Sequence, residues 1–303
     1  MEIKVEDTSN IRIDSYLSKK TDYSRSTIVK MINEGIILVN DKKVKSSYLI
    51  KENDIIKIGE YKQEQMNLEA EDIPLDIYYE DDDVIVINKP NGMVVHPAVG
   101  NSSGTLVNAL LNHSKNLSDI NGEFRPGIVH RIDADTTGLL MVAKNNKAHE
   151  ILAKELSEKK TTRKYIALVW GVINEDTGTI DAPIGRDLTD RKKMTVTSIN
   201  SKDAITHFKV LERFKDATLI ELQLETGRTH QIRVHMNYIG HPVVNDPVYG
   251  KRKLIDKTGQ CLHAFHIGFV HPTTKKRMEF NCELPSCFTN ILNKFREEKW
   301  KKN

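Results

Sequence analysis

The stretch GIVHRIDADTTGLLMVAKNN, residues 127–146, sets a His, an Arg and an Asp within four positions and follows them at once with an apolar run. Read as extended chain, IVHRID has a period of two, which puts Arg131 and Asp133 on one face and His130 and Ile132 on the other. Small residues then bend the chain before GLLMVA re-enters the core as a strand. A carboxylate at the lip of a strand, backed by apolar chain, suits a catalytic group. An ion pair trimming a sheet edge suits the same residues, and the stretch alone leaves both readings open.

Outward from it, DVIVINKP reads as a strand stopped by Pro90, TLVNALLNHS as a short helix, and KAHEILAKELSEKK as a longer helix with Ala148, Ile151, Leu152 and Leu156 on one face. RKYIALVWG, ATLIELQLETG, HAFHIGFVHP and KRMEFNCELP are strand-like runs bounded by turn residues. Strands dominate without regular βαβ alternation, so the fold class is α+β with a mixed, mostly antiparallel sheet.

The first 60 residues read as a separate small module. Ser24 caps a helix whose stripe is Ile28, Met31 and Ile32, and Gly35 ends it. A shorter helix surrounds Ile13, Tyr16 and Leu17, and IILVN and KKVKSS form a hairpin about Asn40-Asp41. Residues 61–74, polar and acidic, read as a linker, and 75–303 as the second domain.

With 303 residues, 39% apolar and 29% charged, the chain has material for a real core and the composition of a soluble protein. No apolar run nears the ~20 residues that cross a bilayer, and MEIKVEDTSN lacks a signal-peptide pattern, so a cytoplasmic protein is expected. Cys261, Cys282 and Cys287 lack CxxC spacing and read as free thiols. The net charge of +3 is uneven: residues 1–60 carry 11 Lys/Arg against 10 Asp/Glu, and residues 61–84 one Lys against nine acids. The remainder therefore holds an excess of ten positive charges, which suits a polyanionic partner.

Two further stretches carry chemistry. LETGRTHQIRVHMNYIGHPVVNDPVYG groups Arg228, His230, Arg233 and His235, but HxxxxH is not a common zinc spacing and no Cys or carboxylate joins the pair within reach. The group reads instead as a cationic face for a carboxylate or phosphates, with no metal. In RKYIALVWG, Tyr165 follows the basic KKTTRK; most strand tyrosines pack, while an exposed one beside cations stacks on a nucleobase.

HRIDADTTG (130–138), RKYIALVWG (163–171) and TGRTHQIRVHMNYIGHPVVNDPVYG (226–250), with NKPNGMVVHP (88–97) and HAFHIGFVHP (263–272), resemble the RluA/RluD family of pseudouridine synthases. Ile132 stands where Leu is usual, and Thr137 where Ser is. RxDxxL from Arg12, SRS from Ser24, Gly35, VND at 39–41 and ND-I-IKI at 53–58 resemble the S4 RNA-binding domain. The resemblance implies isomerisation of uridine to pseudouridine in large-subunit ribosomal RNA, with helix 69 of 23S rRNA one option among its sites. A tRNA substrate is the alternative, and a non-catalytic rRNA-binding assembly factor or a base-releasing glycosylase are rivals from other classes.

The same resemblance assigns catalysis to Asp133, stacking on the uracil and a part in proton removal to Tyr165, and pairing with the catalytic carboxylate to Arg233, carried by a distant strand. Arg131 would reach into RNA beside the extruded base, and His130, Arg228, Arg25, Lys30 and Lys43 would contact RNA. The reaction breaks N1–C1′, turns the uracil and rejoins it through C5, so it demands neither redox cofactor nor metal. A guanidinium within ~4–6 Å lowers a carboxylate pKa by ~1–3 units and keeps it ionised. The loops RDLTDRKK (186–193) and GKRK (250–253) are expected phosphate contacts, and a monomer is expected because no spare amphipathic segment is visible.

Overall fold

Capping chemistry places the second N-terminal helix. A computed structural model describes all residues except 7–9, 62–67, 98–100, 123–124, 191–192, 251 and 301–303, and leaves out the side chains of 26 and 298–300. In the N-terminal unit, Met1–Met66, helix α1 (Ile13–Lys20) precedes α2 (Arg25–Glu34), which starts where Ser24 Oγ accepts the Thr27 amide and ends at Gly35, φ 78°. Strands β1 (Glu2–Lys4), β2 (Ile37–Val39), β3 (Lys42–Lys43) and β4 (Ile55–Ile58) form an antiparallel sheet in the order β1-β4-β2-β3. Asn40 and Asp41, both at positive φ, make the two-residue turn between β2 and β3. Ile13, Leu17, Ile28, Met31, Ile32 and Ile37 close the core, as their spacing implies.

The second unit, Asn67–Asn303, opens with β5 (Ile77–Glu80), β6 (Val84–Lys89) and α3 (Leu106–His113). Then come β7 (Thr137–Ala143), α4 (Asn146–Ser157), β8 (Thr162–Trp170), β9 (Thr177–Asp181), β10 (Ile184–Arg186) and β11 (Met194–Val196). The chain ends with β12 (Ile205–Arg213), β13 (Ala217–Leu224), α5 (Gln231–Tyr238), β14 (Leu262–Val270), β15 (Arg277–Asn281) and α6 (Ser286–Trp300). Nine strands form one sheet, β5-β6-β7-β14-β8-β13-β12-β9, with β15 on β14. The β7–β14 pair is parallel and the other described pairs in this sheet are antiparallel, which fits the expected mixed sheet.

Strand alternation sorts the core onto the two sheet faces. Leu140 and Val142 of β7, with Tyr165 and Ala167 of β8, pack beside α3 and α5. Leu139 and Met141 turn the other way, towards Ala148 and Leu152 of α4, while Ile166 and Leu168 meet Phe288, Ile291 and Leu292 of α6. All seven residues of β7 are buried, so the apolar run after the charged cluster is a central strand.

Two expectations change. Residues 68–74 are not free linker: Leu68 packs on the second core, Asn108 Nδ2 donates to Glu69 O at 2.7 Å, and the Glu71 carboxylate accepts the Gly104 amide at 2.9 Å. Residues 62–67 of that segment lie outside the described residues. IVHRID is not a ladder strand either. Ile128 makes an isolated bridge to Val142, and the Asp133 carbonyl then accepts the Thr136 amide at 3.1 Å in a turn. That turn lifts Asp133 to the rim of the sheet.

Candidate active site

The turn at 133–136 is held from both sides. Thr136 Oγ1 accepts from Gln260 Nε2 at 3.0 Å, and Thr137 Oγ1 meets His263 Nδ1 at 2.7 Å. Gly138 lies at φ 111° against β14, where a Cβ would fall 2.2 Å from the Ala264 carbonyl oxygen. Beneath the turn, Lys89 is fully buried and its Nζ donates to the carbonyls of Pro90, Met93 and Ala134 at 2.8, 2.9 and 2.6 Å. Burial pushes Lys89 down to about 7, against the pull of Asp135 and Asp133. Burial likewise raises the Asp135 carboxyl, with Arg233 and Lys89 opposing.

Arg233 arrives from α5, not from a strand. The segment from Gln231 to Met236 is buried all round, so no apolar stripe marked it as a helix. His230 starts it in the left-handed region, φ 57°, and Gln231 Oε1 accepts both the Arg228 amide (2.9 Å) and Thr226 Oγ1 (2.8 Å). Arg233, 4% exposed, donates through Nη1 to Asp133 Oδ2 at 2.9 Å. Its Nε and Nη2 form a fork on the two oxygens of Asp246, at 2.7 and 2.9 Å.

Asp246 is 1% exposed and also accepts the amides of Val248 and Tyr249. Burial alone would raise its carboxyl, but the guanidinium and the two amides hold it below the usual range. Burial opposes the charge on Arg233 too, and Asp246 and Asp133 together more than offset it. His230 completes the rim, with Nε2 3.8 Å from Asp133 Oδ1 and Nδ1 2.8 Å from Tyr249 Oη.

A recess of about 50 Å³ brings Asp133, Tyr165, Arg233, Arg163 and Leu224 together, and a second of about 280 Å³ opens on Asp133, Asp135, His96 and Gln260. Residues 133, 165 and 233, far apart in sequence, thus face one cleft. Residues 83–238 match the family described as RNA pseudouridylate synthase, and residues 11–56 match the S4 domain. The chain belongs to the RNA pseudouridylate synthase family.

This synthase is 54% identical to the uncharacterized RNA pseudouridine synthase YlyB of Bacillus subtilis, over 96% of each chain. It is 43% identical to the ribosomal large subunit pseudouridine synthase D of Zymomonas mobilis, over 90% of each. Among solved structures it resembles human RNA pseudouridylate synthase domain containing 1 at a TM-score of 0.58 and 28% identity, covering 74% of this chain and 95% of that one.

The other expected site residues of the synthase divide. Arg131 is exposed on the cleft wall, with Nη2 donating to Thr229 Oγ1 at 3.1 Å. Arg228 lines the cleft with Nε on the Asp203 carbonyl. His130 turns inward: Nε2 accepts the Met141 amide at 3.2 Å, Nδ1 is buried without a partner, and burial pushes the ring down to about 3. Tyr165 is buried rather than exposed, and burial raises its phenol, Asp133 adding to this and Arg163 opposing. The expected cationic face splits, because His235 is fully buried between Thr206 Oγ1 and the Ala182 carbonyl.

In the N-terminal unit, Arg25 pairs with buried Asp14 at 3.1 Å, Lys30 stands 3.9 Å from Glu34, and Lys43 is exposed. Arg252 stacks on Trp170 at 4.2 Å and pairs with Asp216, and Lys193 lies 3.6 Å from Asp190. Residues 191, 192 and 251 of the two basic loops lie outside the described residues. Cys261, Cys282 and Cys287 are free. Among the described residues no group of His, Cys, Asp or Glu is arranged to hold a metal ion, and no helix is long and apolar enough to cross a membrane. Asp246, Lys89 and Arg163 were the residues sequence reasoning passed over, although all three lie inside motifs it had picked out.

Proposed function

We propose that this synthase isomerises uridine to pseudouridine in large-subunit ribosomal RNA, with Asp133 as the catalytic carboxylate. The observation that carries the assignment is the 2.9 Å bond from Arg233 to Asp133 Oδ2, in a cleft that Asp133 shares with Tyr165. One carboxylate oxygen is fixed by the guanidinium, and the side chain still reaches the cleft. A uridine turned out of its helix costs a few kcal/mol of unstacking, offset in part by the face of Tyr165.

Because burial raises the Tyr165 phenol, the side chain serves as a neutral stacking surface at pH 7 rather than as a phenolate base. Arg131, exposed at the mouth, is placed to reach into the RNA beside the extruded base. Relatives named for the ribosomal large subunit, together with the S4 match, favour rRNA over tRNA. The reading carries with it a cytoplasmic monomer working without cofactor.

The test is in vitro transcribed 23S rRNA from the source organism incubated with purified protein. Wild type yields pseudouridine with no free uracil, and Asp133→Asn yields none while its RNA affinity stays within about threefold. Product from Asp133→Asn would remove the carboxylate from its role, and modification of tRNA alone would change the substrate.

A further inference from the structure

A cavity of about 470 Å³ adjoins the Asp133 cleft and shares Arg131, Arg163, Gly227 and Arg228 with it. Its wall carries five cations, Arg125, Arg131, Lys159, Arg163 and Arg228. Glu225, the carboxylate among its described lining residues, is already held by Lys159 at 2.7 Å and His207 at 2.8 Å. The cavity therefore has an unbalanced positive wall.

Arg163 is the anomaly within it. It is 8% exposed, its Nε is buried with no hydrogen-bond partner, and among the described residues no carboxylate lies within ion-pair distance of its guanidinium. Buried charges in proteins are ordinarily paired, because taking an ion out of water costs several kcal/mol. Arg233, equally buried 70 residues on, has two carboxylates. Arg163 has none.

Its place is also fixed. Arg163 sits two residues before Tyr165 on β8, so both side chains leave the same face of the strand, towards the cleft. Gly227 leaves room for the guanidinium: a Cβ there would fall 2.6 Å from Nη1. A chain that buries most of an arginine in a cavity wall, clears a glycine for it and supplies no counter-charge among its described residues is preorganised for an anion from outside.

We propose that Arg163 is a phosphate receptor of this synthase, taking one backbone phosphate of the RNA next to the nucleotide that enters the Asp133 cleft. The inference rests on the RNA-modifying reading above and adds a positioning residue to it. Its place beside Tyr165 sets the reach: the phosphate enters through the 470 Å³ cavity while the base turns towards Tyr165 and Asp133. A neutral uracil carbonyl would satisfy a donor but leave the charge uncompensated, so the phosphate is the better match.

The test compares full-length wild type, Arg163→Met and Arg163→Lys, with and without RNA. Without RNA, Arg163→Met replaces an unpaired buried cation by an apolar chain of similar length, so its Tm should equal or exceed that of wild type. A Tm lower by several degrees would show that Arg163 holds the fold and would overturn the proposal. With the 23S rRNA transcript, binding of Arg163→Met should weaken about tenfold to a hundredfold. The slope of log K against log[salt] should fall by about 0.7, the value of one phosphate on a single strand, while Arg163→Lys retains the slope.

An unchanged slope in Arg163→Met would overturn the proposal, because loss of a bond to uracil weakens binding without releasing fewer counterions. The binding comparison does not need turnover. A wild type that binds this transcript and forms no pseudouridine would count against the ribosomal reading, and the slope would still decide Arg163.

Discussion

Asp246 shows how a buried charge can aim a neighbour, Arg233, at the carboxylate proposed to do the chemistry. Arg233 spends its fork on Asp246 and has only Nη1 left for Asp133. The bond to Asp133 is therefore aimed by a carboxylate on the far side of the guanidinium. Replacing Asp246 by Ala leaves a buried guanidinium with one rim partner, and removing one member of a buried pair costs about 3–5 kcal/mol. Asp246→Asn keeps shape and one acceptor, so its loss of stability should be about half as large. In both variants single-turnover pseudouridine formation should fall by about tenfold or more with RNA affinity little changed, as expected when a transition-state interaction is lost. Urea unfolding and rapid-quench assays read the two effects separately. A normal single-turnover rate in Asp246→Asn would show that Arg233 needs no aiming.

The segment 127–143 shows which features the sequence carried and which it could not. The apolar run GLLMVA, the Pro90 stop, the Ser24 cap and the hairpin at Asn40-Asp41 were legible because each is local chemistry acting on a few neighbouring residues. The helix bearing Arg233 was not, because α5 is enclosed from Gln231 to Met236 and over that length lacks the polar face that betrays a surface helix. Arg163 and Lys89 were hidden for a related reason: a charged residue reads as surface until its burial is known. Gly138 joins the local and the distant. Its φ of 111° and its contact with the β14 backbone are both closed to a side chain, so Gly138→Ala must part β7 from β14 or tilt the turn that carries Asp133. A loss above about 3 kcal/mol in denaturant unfolding is expected. A variant of near-normal stability would show that the parallel pair yields easily, and the turn at 133–136 would then owe its position to Lys89 and Gln260 instead.

The two units differ in how protons act on them. All eleven histidines fall after residue 95, so the N-terminal unit has none. In the second unit, burial pushes His130 down to about 3 and His96 and His263 to about 4. Each binds a proton in the unfolded chain near pH 6.5 and not in the folded one, so the unfolded state holds more protons in that window. Stability is then complete above pH 6.5 and drains as the pH falls towards 3–4, by roughly 2 kcal/mol per buried imidazole at pH 5. The N-terminal unit follows another course. The hydrogen bond and charge of Arg12, aided by Arg25, hold Asp14 at about 2 despite its burial. Its contribution is present above pH 3.8, lost as the pH falls through 2, and about 1 kcal/mol after allowance for solvent around the two arginines. Amide exchange, corrected for intrinsic rates and followed peptide by peptide from pH 7 to pH 4, should show protection fading first in residues 77–295. Residues 13–58 should keep theirs to below pH 4. Loss of protection in the N-terminal peptides at the higher pH would mean that acid acts there through groups other than Asp14, and that the buried imidazoles of the second unit open to water at little cost.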